Sequence, residues 1–321
     1  MVQSNPNIAG SFIGRSLLTL RDYTEEEILT LLDTAYRVKA EKRRGERHRR
    51  LKGYSIALLF EKRSTRTRSA FETAFGEEGG HPVFLSPQDV HLGVKETVED
   101  TARVLGRMFD CIQFRGYSHA TVERLAEYAG IPVYNGLTDR FHPTQALADL
   151  MTLREQRGTL EGSVLTYVGD GRNNVATSLL VACARLGVSC RVASPRALQP
   201  SEETMNLVDT LTKTGAPRPQ LFEDPQRAVK DADAVYTDVW TSMGEEEQLK
   251  ERVKLLQPYQ VNATLMNAAA SDAIFLHCLP AVKGNEVTEE VFESSASRVF
   301  EQSENRKHTI KSVLLHTLGI V

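Results

Sequence analysis

The stretch that decides the fold reads IALLFEKRSTRTRSAFETAF and covers residues 56–75. Its first five residues are apolar and predict a buried strand, and residues 69–75 predict a helix. Five polar residues lie where the strand turns into the helix: Ser64, Thr65, Arg66, Thr67 and Arg68. The first turn of a helix has unpaired backbone N–H groups and a partial positive charge, so the added hydroxyl and guanidinium groups predict a site for phosphate or another oxyanion. The alternative is an ordinary N-cap, from Ser64 or Thr65, with two solvated arginines.

Length, charge and cysteine spacing exclude several classes of protein. The 321 residues suggest about two domains, and the net charge of −3 argues against a nucleic-acid or membrane-surface partner. No apolar run is long enough to span a membrane, and residues 1–14 do not have the pattern of a secretory signal. The cysteines stand far apart, which predicts free thiols and a cytoplasmic protein: Cys111, Cys183, Cys190 and Cys278.

Predicted strands and helices alternate along the chain. Strands are expected at residues 82–85, 111–114 and 131–134, with a helix between each pair. Such alternation predicts a parallel sheet covered by helices. A second series starts at Val164, with further strands near residues 190–193, 234–239 and 273–277.

These two series give the expected domain organisation. A helix at residues 144–157 is expected to connect a first domain, residues 1–143, to a second domain, residues 158–298. The amphipathic helix at residues 299–321 is expected to pack back on the first domain, because so much apolar surface would not stay exposed. The predicted fold class is α/β, with two similar-sized domains, each a parallel sheet covered by helices, and a cleft between them.

Chemically useful side chains follow the predicted strands of the first domain. Ligands of parallel sheets collect at the carboxyl ends of the strands, so Arg66 and Arg115 are expected to meet in space. His142 and Gln145 lie at the start of the connecting helix. A helix start lowers the pKa of His142 and favours the neutral imidazole, a hydrogen-bond donor. The alternative role for His142 is a structural hydrogen bond.

The turn GDGRNN at residues 169–174 invites a dinucleotide interpretation. That interpretation is disfavoured, because Asn174 replaces the third glycine and Ser194 stands where an acidic residue would hold a ribose. Two alternatives stay open. The turn is either a tight turn with an asparagine N-cap, or Asn174 offers its amide to a small polar ligand.

Two further strand ends carry polar residues. Asp238 is followed by Thr241-Ser242-Met243-Gly244, a loop expected to close on a cationic or zwitterionic ligand. His277-Cys278-Leu279-Pro280 ends another strand, where Cys278 is either a packed thiol or a functional group. A metal site is not expected, because no other ligand pair has useful spacing to His277 and Cys278.

Together these residues match a known family. The matching segments resemble those of the aspartate/ornithine carbamoyltransferases, and two of them, the Ser-Met-Gly loop and His-Cys-Leu-Pro, resemble the ornithine-specific members. They are residues 64–68, 142–145, 238–244, 277–280 and Glu304-Asn305-Arg306. The resemblance implies transfer of a carbamoyl group from carbamoyl phosphate to L-ornithine, giving L-citrulline and phosphate without a cofactor. It also implies a carbamoyl-phosphate domain followed by an ornithine domain, and a homotrimer with active sites at subunit interfaces.

The resemblance further implies a role for each site residue. The phosphate would be held by Ser64, Thr65, Arg66, Thr67 and Arg115. The carbamoyl end would be held and polarised by Thr67, Arg115, His142, Gln145 and Arg306. The amino-acid end of ornithine would be bound by Asn174, Asp238, Ser242 and Met243. Cys278 and Leu279 would contact both the ornithine side chain and carbamoyl phosphate, and His91 would come from a neighbouring subunit.

The implied reaction needs a neutral amine. A lysine-like amine has a pKa of about 10.4, so only about one molecule in a thousand is neutral near pH 7.4, a free-energy gap of about 4 kcal/mol. Asp238 and Cys278 are the candidates for handling the proton.

Three other functions compete with this one. The nearest is a carbamoyltransferase for another amine, such as putrescine or N-acetylornithine. A nicotinamide dehydrogenase is disfavoured by the turn at residues 169–174. A nucleic-acid binder that uses the basic run at residues 42–50 is disfavoured by the net charge.

Overall fold

The computed structural model describes residues 12–86, 88–90, 96–240 and 249–321. The chain divides into two compact units. Unit 1 ends at Ala148 and resumes with Glu304–Val321, and unit 2 is Asp149–Ser303.

Unit 1 is built on a four-stranded sheet in which all neighbouring strands are parallel. Its strands are β1 (Ser55–Phe60), β2 (His81–Leu85), β3 (Cys111–Arg115) and β4 (Val133–Leu137), in the spatial order β2-β1-β3-β4. Strand β4 starts two residues later than predicted, because Pro132 has no N–H to donate to the ladder. Arg115 is the last residue of β3 and lies beside Phe60, the last residue of β1. The carboxyl ends of the two central strands are therefore level.

Helices cover this sheet. They are α1 (Glu25–Arg43), α2 (Thr65–Glu77), α3 (Val98–Met108), α4 (His119–Ala129) and α5 (Pro143–Arg157), the last of which continues into unit 2. Leu105 of α3 and Val122 of α4 pack with Ile112 and Phe114 of β3 in one apolar cluster. The predicted capping box of α1 is confirmed, since Thr24 and Glu27 each bond the backbone N–H of the other. The predicted sheet-and-helix layers are thus present in unit 1.

Unit 2 repeats the arrangement with five parallel strands. They are β5 (Val164–Val168), β6 (Ser189–Ala193), β7 (Gln220–Phe222), β8 (Ala234–Thr237) and β9 (Ile274–His277), in the order β7-β6-β5-β8-β9. The sequence did not predict β7, which has only three residues and lies at the edge of the sheet. Strand β8 ends at Thr237, so Asp238 lies just beyond its carboxyl end. The predicted fold class, two parallel sheets covered by helices, is confirmed.

The described helices of unit 2 begin with the most buried one. They are α6 (Asn174–Leu186), α7 (Glu202–Leu211), α8 (Pro225–Val229), α9 (Leu249–Leu256), α10 (Ala263–Met266), α11 (Glu289–Phe292) and the start of α12 (Val299–Thr317). Among the described residues, no helix combines the length and the apolar character needed to cross a membrane.

The remainder of α12 belongs to unit 1, where it packs on α1. Lys39 donates to the side chain of Asn305 at 2.6 Å, and both residues are buried. The hydroxyl of Ser312 donates to the carbonyl of Leu31 at 2.7 Å. These contacts fix the residues of α12 around Arg306 against the body of unit 1.

A cluster of charges joins α12 to the C-terminal end of α2. Lys311 is nearly buried and lies 3.1 Å from a carboxylate oxygen of both Glu77 and Glu78. Lys42 of α1 also pairs with Glu77. Burial alone would raise the pKa of Glu77, but hydrogen bonds from Lys42 and Lys311 lower it to about 2. The cluster therefore stabilises the fold while Glu77 is ionised.

We expect Glu77→Gln to flatten the acid dependence of stability. The folded-state pKa of Glu77 lies below its ordinary value of 4.5, so its contribution is complete above pH 4.5 and is lost as the pH falls towards 2. Urea unfolding at pH values from 5 to 2 should therefore show a steeper loss for the unmodified protein than for Glu77→Gln. The control is Glu72→Gln, on the same helix, whose side chain is partly exposed and pairs with Arg68. Equal slopes for the unmodified protein and Glu77→Gln would contradict the role of the cluster.

Candidate active site

The start of helix α2 is organised by Ser64. Its backbone is extended, and its hydroxyl oxygen accepts the backbone N–H of Thr67 at 3.2 Å. The N-cap interpretation is therefore correct for Ser64. A cap of this kind satisfies one of the N–H groups of the first turn, so it does not exclude an anion at the others. Thr65 is exposed and Arg66 is half-buried in this first turn.

The hydroxyl of Thr67 is the point at which unit 1 gathers its cations. Thr67 is fully buried, and its oxygen accepts a hydrogen bond from Nη1 of Arg115 at 3.0 Å. The same oxygen accepts a second bond from Nη2 of Arg306 at 2.8 Å. Both arginines are buried, so their charges act in a medium that screens them weakly. The predicted meeting of strand-end arginines at this helix start thus includes a residue 239 positions further along the chain.

His142 and Gln145 lie at the beginning of α5, and both are buried. Burial, and then the charges of Arg306, Arg115 and Arg66, hold the pKa of His142 well below its usual range. The sequence predicted this direction but attributed it to the helix start alone. The imidazole is neutral near pH 7 and keeps one N–H to donate. Unit 1 therefore brings together cations and a neutral donor, a set suited to an anionic ligand that carries a carbonyl group.

Asp238 is the centre of a second group, in unit 2. One carboxylate oxygen accepts from the thiol of Cys278 at 2.9 Å and from the backbone N–H of Val239 at 2.8 Å. The other accepts from the amide of Asn173 at 3.2 Å. Burial raises the pKa of Asp238, and His277, Cys278 and the N–H of Val239 oppose that rise. The carboxyl group is thus buried and held by donors on both sides, and its raised pKa suits a group that exchanges a proton.

The turn that carries Cys278 is held by the ring of His277. Nδ1 accepts the backbone N–H of Leu279 at 2.8 Å, and Nε2 lies 3.3 Å from the carboxylate of Glu286. Leu279 has a φ of 60°, a left-handed conformation that residues other than glycine rarely adopt. His277 and Glu286 are fully buried. The ring therefore orients the backbone on which Cys278 and Leu279 are presented.

The same residues have a spacing that a metal ion could bridge. Ligand atoms of Asp238, His277 and Cys278 lie within 4.8 Å of one another. The sequence considered only His277 and Cys278, because Asp238 comes from a different strand. The hydrogen bonds of Cys278 to Asp238, and of His277 to Leu279, account for this proximity by themselves.

Other predicted site residues lie apart from these contacts or outside the described residues. Asn174 is the first residue of α6 and is half-buried. His91, Ser242 and Met243 lie outside the described residues.

Comparison with known families identifies both halves of the chain. Residues 15–155 match the carbamoyl-P binding domain of aspartate/ornithine carbamoyltransferase. Residues 161–317 match the Asp/Orn binding domain of the same enzymes. The chain belongs to the aspartate/ornithine carbamoyltransferase family. The resemblance drawn from the motifs is confirmed.

Individual members of the family resemble this chain over nearly its whole length. The ornithine carbamoyltransferase of Caldanaerobacter subterraneus subsp. tengcongensis is 59% identical over 95% of this chain and 98% of its own. That of Pseudothermotoga lettingae is 57% identical over 97% of this chain and 100% of its own. The solved ornithine carbamoyltransferase of Pyrococcus furiosus superposes with a TM-score of 0.93 at 48% identity, covering 96% of this chain and 98% of that one.

Within this member of the aspartate/ornithine carbamoyltransferase family, two polar residues of the site escaped sequence reasoning. Asn173 was considered only as a turn residue, although its amide contacts Asp238. Glu286 carries no signal, because it lies in an irregular segment after β9 and reaches His277 only through the fold. A polar residue next to a predicted ligand, such as Asn173 beside Asn174, was the one available signal.

Gly136 of β4 lies against Thr67 and leaves it room. A Cβ atom at this position would lie 2.4 Å from Nε2 of Gln113 and 2.9 Å from Cγ2 of Thr67. Real Cβ atoms do not come so close to their neighbours, so a side chain here would displace Thr67 or Gln113. The glycine is required by close packing beneath the cationic group.

We expect Gly136→Ala to destabilise the protein by about 1–3 kcal/mol through overpacking. The matched control is Gly76→Ala in α2, where an added Cβ meets nothing within 4 Å. That control should stabilise the helix by about 0.5–1 kcal/mol. Urea unfolding measures both changes, and calorimetry with inorganic phosphate should show weaker binding for Gly136→Ala only. Equal stability and equal phosphate affinity for the two variants would contradict the packing at Thr67.

Proposed function

We propose that this protein transfers the carbamoyl group of carbamoyl phosphate to the side-chain amine of L-ornithine, giving L-citrulline and phosphate. The observation that carries the proposal is the convergence of Arg115 and Arg306 on the hydroxyl of Thr67, at the start of α2. This group lies within the residues that match a carbamoyl-P binding domain. Relatives at 57–59% identity are named ornithine carbamoyltransferase, which supports ornithine as the acceptor.

Unit 1 supplies the groups for the leaving phosphate. Phosphate departs as an anion, and Ser64, Thr65, Arg66, Thr67 and Arg115 are assigned to it. Backbone N–H groups of the first turn and the positive end of the helix favour this charge, and guanidinium groups bind phosphate oxygens in pairs. Because Arg115 is already fixed by its bond to Thr67, little side-chain freedom is lost when the anion binds.

The carbonyl oxygen of the carbamoyl group gains negative charge as the amine attacks. Arg115 and Arg306 provide positive charge near Thr67, and neutral His142 provides an N–H without adding a further cation. Gln145, one turn into α5, is assigned to the carbamoyl amide. Donors that are fixed before the reaction stabilise developing charge strongly in a buried site.

Unit 2 is assigned to the attacking amine. Asn174, Asp238, Ser242 and Met243 are proposed to bind the amino-acid end of ornithine, and Cys278 and Leu279 to contact its side chain and carbamoyl phosphate. The ornithine amine must lose a proton before it attacks. Asp238 has a raised pKa and receives the thiol proton of Cys278 in a hydrogen bond of 2.9 Å. This pair is the proposed route by which the proton leaves the amine.

Assembly, location and domain roles complete the proposal. We propose a homotrimer in which His91 reaches the site of a neighbouring subunit. A cytoplasmic role in arginine metabolism is consistent with four free thiols. The proposed functional division is a carbamoyl-phosphate domain at residues 1–143 with the helix at 299–321, a connecting helix at 144–157 and an ornithine domain at 158–298.

We expect Arg66→Ala to raise the KM for carbamoyl phosphate about 10- to 100-fold, the worth of a hydrogen bond between charged groups. The matched control is Arg68→Ala, two residues further along the same helix. Arg68 is exposed, pairs with Glu72 at 2.9 Å and stacks on Phe84, so its loss should leave this KM within about twofold. Steady-state citrulline formation at saturating ornithine measures both. Equal KM values for the two variants would count against the phosphate site.

We expect Asp238→Asn to lower kcat/KM for ornithine about 100-fold or more while the KM for carbamoyl phosphate stays within about twofold. The substitution keeps the size of the side chain and removes its charge. The control is Asp233→Asn, just before the other end of strand β8, where the carboxylate bonds the N–H of Val164 and pairs with Arg157. Losses of similar size for the two substrates would contradict the assignment of Asp238 to the amine.

A further inference from the structure

The amide of Asn173 is fixed by three hydrogen bonds, although the roles assigned above do not use it. Asn173 is the N-cap of α6, and its Oδ1 accepts the backbone N–H of Ala176 at 2.7 Å. A backbone N–H can only donate, so the amide atom that faces it must be the oxygen. The NH₂ group therefore points away from the helix.

That NH₂ group has two acceptors within reach. Nδ2 lies 2.6 Å from the hydroxyl of Tyr167 and 3.2 Å from Oδ2 of Asp238. Its two hydrogens thus match two partners. On its other side, the carboxylate of Asp238 accepts from Cys278 and from the N–H of Val239. Asn173 is consequently the donor that fixes the second oxygen of Asp238.

Capping alone does not explain an asparagine here. Serine, aspartate and asparagine cap helices about equally well, because the cap needs only a side-chain oxygen. Asparagine is the one of these that adds an NH₂ group on the far side of the same rigid plane. The cap therefore anchors the amide, and the amide donates to the carboxylate.

We propose that Asn173 is a positioning residue that holds the carboxylate of Asp238 in the orientation in which it receives the amine of the amino-acid substrate. The inference rests on the proposed function, since it assigns Asp238 to ornithine. Asn173 itself acts through Asp238. Its removal should therefore affect ornithine use and leave carbamoyl phosphate binding unchanged.

The first test compares Asn173→Ser with Tyr167→Phe. Serine keeps a cap oxygen but has no NH₂ group, so kcat/KM for ornithine should fall about 10- to 100-fold, with the KM for carbamoyl phosphate within about twofold. Tyr167→Phe removes the other acceptor of the same NH₂ group and leaves the bond to Asp238 in place. Its loss in kcat/KM for ornithine should stay below about threefold.

The second test uses Asn173→Asp, which keeps the cap and puts a second carboxyl group beside Asp238. Two carboxylates this close share one proton, and the shared proton allows the new group to donate as the amide did. The activity of Asn173→Asp relative to the unmodified protein should therefore rise as the pH falls from 8.5 to 6. The groups that face Asp238 are present in both proteins and cancel in this ratio: His277, Cys278, Glu286 and Tyr167.

The outcomes separate this inference from the proposed function. Citrulline from the unmodified protein, with the selective loss in Asn173→Ser and the pH response in Asn173→Asp, would support positioning. If the unmodified protein makes citrulline and Asn173→Ser keeps its kcat/KM for ornithine within twofold, the inference is wrong and the proposed function stands. Equal losses for both substrates, or a flat pH ratio in Asn173→Asp, would also overturn it. If the unmodified protein makes no citrulline, the proposed function fails and the inference fails with it.

Discussion

The two hydrogen bonds that meet on the hydroxyl of Thr67 are the interaction on which unit 1 depends. Two buried guanidinium groups repel each other, and neither is at home away from water without partners. One neutral oxygen, held at the first turn of a capped helix, fixes both of them within reach of that helix start. The same charges, after burial, keep His142 neutral. Cations, helix start and neutral donor therefore form one electrostatic unit, suited to a phosphate that leaves a carbonyl group.

Much of the fold of unit 1 serves to hold these groups. Arg115 reaches Thr67 because β3 ends level with β1, and Gly136 of β4 leaves space beneath the threonine. Arg306 reaches it because α12 returns to unit 1, where Lys311 binds Glu77 and Glu78. Unit 2 applies a comparable rule to a single carboxylate, which is fixed from both sides by Asn173 and Cys278. In each unit a charged group has its position set before substrate arrives, which lowers the reorganisation needed for reaction.

Local signals in the sequence predicted the features that depend on neighbouring residues. The strand-to-helix turn at residues 64–68, the cap at Ser64 and the strand ends at Arg115 and Asp238 all follow from short stretches of chain. Contacts between distant residues were beyond such signals. Arg306 entered only through a family resemblance, because no local pattern places it beside Thr67. Glu286 gave no signal, and burial rather than the helix start dominates the pKa of His142, a property of the packed interior. The contribution of Asn173 also depends on tertiary structure, since its cap is local but its bond to Asp238 joins two strand ends.

The claim that unit 2 presents a carboxylate to the amine of ornithine is tested most directly by the choice of acceptor. The measurement is the rate of carbamoyl transfer from carbamoyl phosphate to ornithine, putrescine, N-acetylornithine and aspartate, assayed side by side with the unmodified protein. The account predicts rapid formation of citrulline from ornithine, with the other three acceptors slower by at least about 100-fold, because each lacks or alters a group that would bind buried polar partners. A rate with putrescine or N-acetylornithine equal to or above that with ornithine would contradict it.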